Sequence, residues 1–173
     1  TPLDSSAASD VYKRQMYYVE AKAELNIPKS SILEQIRKPG NLEDFHPFCK
    51  SNKALKWPGE GAVDELIYLN GITYKRRFYN WTEDGYDLKI GGRRRETTVN
   101  WVVEGNKVQS SLRVRINPDF ITKNRVLRWF LWHFYTKYLL KSYIDSVVRG
   151  FEYFMNTGKK VQSNQFGRHS WFS

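Results

Sequence analysis

Residues able to do chemistry are few in this chain, and most stand apart. His46, Pro47, Phe48 and Cys49 bring an imidazole close to the single thiol, the two groups that a thiolate nucleophile and its base require. That pairing works only when a third group orients the base. The sequence identifies none, so no catalytic residue is assigned. His133 lies in an apolar run and His169 near the C-terminus; three separated histidines and one cysteine lack metal-ligand spacing. The sequence carries no phosphate loop, nucleophile elbow or dinucleotide fingerprint. Neither metal nor cofactor is expected.

Two cations could serve a binding site. Lys50, pointing inward, would orient an acidic head group, because an unpaired buried ammonium is costly and sheds its proton. One step of strand register makes it a surface lysine instead. Arg76 shares a strand face with Tyr74 and Phe78, which makes it a second inward candidate; the alternative is that Lys75, Arg76 and Arg77 form a solvated basic strand. In SSLRVRI the aliphatic set Leu112, Val114 and Ile116 is expected to be buried. Arg113 and Arg115 would then join Arg93 to Arg95 in an outer basic patch, able to meet lipid phosphate or RNA or simply to be solvated.

Alternating runs supply the elements that hold these residues. Tyr17 to Ile27 reads as a half-buried strand ended by Pro28, followed by a short helix with Ile32, Leu33 and Ile36 at helical spacing, and a further turn at LEDF. Turn signals at Pro58 to Gly61, Asn70-Gly71, Glu83-Asp84-Gly85 and Glu104-Gly105-Asn106 place strands at 49–57, 62–69, 72–81, 86–91, 94–103 and 107–116. One long helix then runs from Asn124 to Asn156. Its second half is amphipathic, with Lys141, Asp145, Arg149 and Glu152 outside and Leu139, Tyr143, Val147, Phe151 and Phe154 toward the sheet. Its first half, Val126 to Tyr135, is hydrophobic all round, so it must cover itself as core and pocket lid, as a dimer surface, or as a shallow membrane anchor in which Arg125, Arg128 and Lys137 flank Trp129 and Trp132. Of these, burial is expected. Seven strands, two small helices and one long helix make an α+β helix-grip fold, a curved antiparallel sheet around a helix with a cavity between them.

Ser5 to Gln15 back-translates into sequencing-adapter read-through, so residues 1–15 are expected to be an artefact, 16–158 one domain, and 159–173 a polar, disordered tail after a Gly158 cap. The net charge is +10, and Asp4, Asp10, Lys13 and Arg14 cancel within the first segment, so the basic excess belongs to the domain. Aromatic residues make up 16% of a chain with mean hydropathy −0.64, which suggests large side chains lining a space. One cysteine excludes an internal disulfide, and no apolar run reaches the roughly 20 residues of a spanning helix. A cytoplasmic, at most membrane-peripheral, protein is expected.

HPFCKS at 46–51, G-x-V-x-E at Gly61 to Glu65, DGYDLKIGG ending at Gly92 and SVVRGFEYF at 146–154 resemble the START-like superfamily of polyketide cyclases, lipid transport proteins, the birch pollen allergen and plant abscisic acid receptors. The resemblance covers Tyr17 to Gly158 and implies a ligand cavity. It implies that Lys50 matches the receptors' ligand-binding lysine, and that Phe48, Leu66, Tyr68, Tyr74, Tyr86, Val99 and Trp101 point inward; with Arg76, Phe134 and Tyr138 these are the expected ligand-binding residues. Two departures stand out. Leu69-Asn70-Gly71-Ile72 replaces the receptors' gate loop, and Arg93-Arg94-Arg95 stands where their latch would be, so gated hormone sensing is not expected. The leading expectation is non-catalytic binding or transport of a hydrophobic or amphipathic molecule, lipid or polyketide-like. The alternatives are a cyclase or dehydratase using the same cavity, and docking to membrane or RNA through the basic patch, with RNA disfavoured.

Overall fold

The computed structural model describes residues 17–92, 95–120 and 122–173, and the backbone alone of Arg95. The adapter-like segment 1–15 and the Arg93-Arg94 part of the basic patch lie outside the described residues. Seven strands form one antiparallel sheet in the order β1-β7-β6-β5-β4-β3-β2: β1 Val19–Leu25, β2 Cys49–Lys56, β3 Val63–Tyr68, β4 Thr73–Thr82, β5 Gly85–Gly92, β6 Arg95–Gly105 and β7 Ser110–Asn117. Two short helices, α1 Lys29–Arg37 and α2 Leu42–Phe45, follow β1. The final helix is continuous from Arg125 to Thr157 but contains one wider turn. α3 Arg125–Leu131 passes through a π-helical turn at Trp132–Thr136 into α4 Lys137–Thr157.

Alternation fixes the sheet. In β7 every second residue is buried, so Leu112, Val114 and Ile116 face α4 while Arg113 pairs with Glu104 and Arg115 with Glu20 on the outer face. Expected and observed strands agree to within three residues. The Asn70-Gly71 hairpin turns with Gly71 at φ +86°, a left-handed conformation that glycine adopts without steric cost. Gly150 has a different role: a Cβ there would sit 2.1 Å from the Phe45 carbonyl oxygen, so only glycine lets α4 cross this close to α2.

Three expectations about the C-terminal third need correction. First, the buried face of α4 is Leu140, Ile144, Val147, Val148 and Phe151; of the expected inward set Val147 and Phe151 are buried and Tyr143 turns to the sheet, whereas Leu139 and Phe154 are only half-buried and Leu140, Ile144 and Val148 widen the stripe. Second, the all-apolar start of the helix is not buried. Of residues 125–136 only Trp132 is, held edge-on by Tyr17 and Phe120. Third, residues 159–173 do not trail away. Val161 and Asn164 donate backbone hydrogen bonds to Asp44 and Pro47, Lys160 reaches Asp44 at 3.2 Å, and His169 and Phe172 are buried.

Candidate functional site

A cavity of about 360 Å³ lies between sheet and helix, at the small end of the range typical of ligand sites. The sheet contributes Leu66, Tyr68, Tyr74, Arg76, Val99 and Trp101; α4 contributes Leu140, Tyr143, Ile144 and Val147; the tail closes one end with Trp171 and Phe172. Six of the eleven expected ligand residues therefore line it.

The other five do not. Lys50 is exposed: Cys49 pairs with Tyr68 and Ser51 with Ile67, which leaves Lys50 as the extra residue of a β-bulge, turned to solvent. Phe48 is buried outside the cavity wall, stacked on Tyr143 and against His169. Tyr86 is core beneath α1, where its hydroxyl donates to the Ile36 carbonyl at 3.1 Å and its ring stacks on Trp81. Phe134 and Tyr138 are 69% and 65% exposed, since their stretch of helix has no sheet beneath it.

Arg76 is inside, 3% exposed, and already paired. Its Nε donates to Asp64 Oδ1 at 2.8 Å and a terminal nitrogen donates to Oδ2; Asp64 is 1% exposed. Burial pushes the guanidinium down, but the Asp64 carboxylate overrides this and raises it, so the pair stays ionised and neutral overall. Lys75 and Arg77 on either side are exposed, so this strand is solvated on one face and ion-paired in the core on the other.

A neutral hydrogen-bond relay shares the cavity. His46 Nδ1 accepts from the Phe48 amide at 3.2 Å, so its proton is on Nε2, which faces the Tyr143 hydroxyl at 2.9 Å; Tyr143 in turn meets the Tyr68 hydroxyl at 3.0 Å. Burial, reinforced by the Arg76 charge, lowers His46 to about 3, and burial raises Tyr143 to about 12 and Tyr68 well above its ordinary value. All three are uncharged at neutral pH. They carry three polar hydrogens and make two mutual contacts, so one hydrogen is left for an acceptor in the cavity. The partner of His46 is thus Tyr143 and not Cys49, whose thiol burial pushes up to about 12. Among the described residues no group of three or more His, Cys, Asp or Glu could hold a metal ion.

Sequence reasoning missed His46 and Tyr143 as cavity residues, and it missed the tail. The string HSWF was the available signal, because two aromatics and a histidine are unusual in a polar terminus. In the fold Phe172 stacks on Tyr68 at 4.3 Å, His169 Nε2 donates to the Leu139 carbonyl at 3.0 Å, and Asn70 donates to the Trp171 carbonyl at 2.7 Å.

Comparison with solved structures finds this fold in several proteins. A START superfamily protein from Mycobacterium smegmatis superposes with a TM-score of 0.63 at 10% identity, over 83% of this chain and 99% of that one. DynU16, from the dynemicin biosynthetic locus, gives 0.61 at 16% identity over 83% of this chain and 48% of its own. The fold is START-like. The di-domain ARO/CYC BexL of the BE-7585A biosynthetic pathway gives 0.59 at 10% identity, over 82% of this chain and 48% of that one, so the chain spans about half the length of DynU16 and of BexL. No protein-family model and no curated protein sequence matches the chain. No described helix is long and apolar enough to cross a membrane.

Proposed function

We propose that this START-like chain binds an uncharged, mainly apolar small molecule with one hydrogen-bond acceptor, such as a ketone or ester, and carries or sequesters it without chemical change. The observation behind this reading is the polar end of the cavity. Its one ion pair is internally neutralised, and its relay of His46, Tyr143 and Tyr68 offers one spare donor hydrogen. Among the described residues an acidic head group would find no free cation in the lining, since Lys50 lies outside and Arg76 is committed to Asp64. Affinity would come from burial of apolar surface, at roughly 25 cal/mol per Å².

A cyclase or dehydratase would use the same space, and DynU16 and BexL share the fold. General acid–base catalysis favours groups titrating near the working pH, however, and the imidazole at about 3 and the phenol at about 12 lie far from neutrality. This favours binding over turnover.

Displacement of the neutral dye Nile red from the full chain by a medium-chain fatty-acid methyl ester, and by the corresponding fatty-acid anion, tests the proposal. The ester is expected to displace the dye at roughly tenfold lower concentration, because a charge without a partner is costly to bury. Val147→Trp, which fills the cavity with a larger side chain, is expected to abolish dye binding while retaining a cooperative melt. Equal or better displacement by the anion would reject the neutral-ligand reading.

A further inference from the structure

The most apolar stretch among the described residues is largely uncovered. Val126, Leu127, Trp129, Phe130, Phe134, Tyr135 and Tyr138 are between 45% and 69% exposed, and Trp132 is the one buried residue between Arg125 and Tyr138. The exposed rings are ordered against one another. Phe130 stacks on Phe134 at 5.7 Å, Trp129 meets Phe130 edge-on at 5.1 Å, and His133 lies over Trp129 at 4.4 Å. The helix is firmly started, since Asn124 Oδ1 accepts from the amides of Val126 and Leu127, so the ladder is presented on a fixed support. A contiguous apolar surface of this kind marks an interaction site.

Charge selects the partner. From Phe120 to Ile144 the chain has no Asp or Glu, yet it carries Lys123, Arg125, Arg128, Lys137 and Lys141. A second copy docked on the same face by two-fold symmetry would bring these cations together, which is repulsive. An anionic lipid surface instead attracts them, while tryptophan and phenylalanine enter the boundary between head groups and acyl chains and the long basic stems reach up to the phosphates. We propose that Val126 to Tyr138 is a docking surface for bilayers containing anionic phospholipid. The surface adjoins the cavity's tail-closed end, since the Trp171 indole nitrogen, on the cavity wall, donates to the Tyr135 hydroxyl at 3.4 Å. Docking does not depend on what the cavity holds.

Flotation of the full chain with vesicles of phosphatidylcholine alone, and of equal parts phosphatidylcholine and phosphatidylglycerol, tests this. Binding is expected to the mixed vesicles at least tenfold more strongly than to the neutral ones, and to weaken as salt is raised. The double variants Trp129→Ser/Phe134→Ser and Arg125→Glu/Arg128→Glu are each expected to lose about tenfold or more in partitioning, with melting temperature and Nile red binding unchanged. Unaltered partitioning in both variants would overturn the proposal. So would failure to bind mixed vesicles; a concentration-dependent dimer abolished by Phe134→Ser would then assign the ladder to a second copy, and capture of a soluble acidic protein would assign it to a protein partner. Lost dye binding with retained vesicle binding would overturn the cavity reading alone.

Discussion

The cavity wall and the aromatic ladder at the start of the final helix invert the ordinary partition of side chains. Inside the molecule are Asp64, Arg76, His46 and His169; outside, and ordered, are Trp129, Phe130 and Phe134. The difference teaches that burial in this protein follows an element's position over the sheet more than its hydropathy. Arg76 is buried because β4 places it opposite Asp64 in β3, and each group removes the other's reason to seek water. Phe134 is exposed because its stretch of helix projects past the sheet, and hydrophobicity alone cannot bury a surface that has nothing to pack on.

The sharpest way to break the inside half of this contrast is Asp64→Ala, which leaves Arg76 buried and uncompensated. It is expected to destabilise the fold by ~3–5 kcal/mol in chemical denaturation, whereas Asp64→Leu/Arg76→Met should recover most of that loss. A double variant no more stable than the single one would mean that the pair is not the cause. Next comes the tail. Phe172→Ala removes a ring packed on Tyr68, Tyr143 and His169 and is expected to cost ~3 kcal/mol. Phe134→Ser, a larger loss of hydrophobicity by residue type, should stay within about 0.5 kcal/mol, as for other surface sites. Similar losses for the two would erase the contrast.

His46 gives the relay a pH signature. Its folded value, about 3, lies below the ordinary 6.5, so between these limits the unfolded chain binds more protons than the folded one. Stability therefore rises with pH across that window, by at most ~1.4 kcal/mol per pH unit, and is independent of this group above it. His46→Gln should flatten the slope of stability between about pH 4 and 6.5 measured by urea unfolding; an unchanged slope would place the titration elsewhere.

Much of the fold was legible in the sequence because sheet burial repeats every two residues and hairpin turns have their own chemistry. Arg76 was readable as an inward candidate from the strand face it shares with Tyr74 and Phe78, and the family resemblance set Val99 and Trp101 inward. The outward turn of Lys50 was not legible, because one bulge residue reverses parity and nothing local marks it. The relay was also out of reach: His46 and Tyr143 are 97 residues apart and meet only when α4 closes over the sheet.

By itself, then, the sequence determined the seven strands, the short helices, the inward side of most strands, and the basic aromatic character of the Val126–Tyr138 segment, all of which depend on near neighbours in the chain. Only the tertiary structure decided that Arg76 is neutralised by Asp64, that His46 is bonded to Tyr143 and not to Cys49, that the polar tail closes the cavity, and that the aromatic turn stands uncovered. Each of those depends on which surfaces meet across long loops, and local periodicity carries no information about what lies opposite.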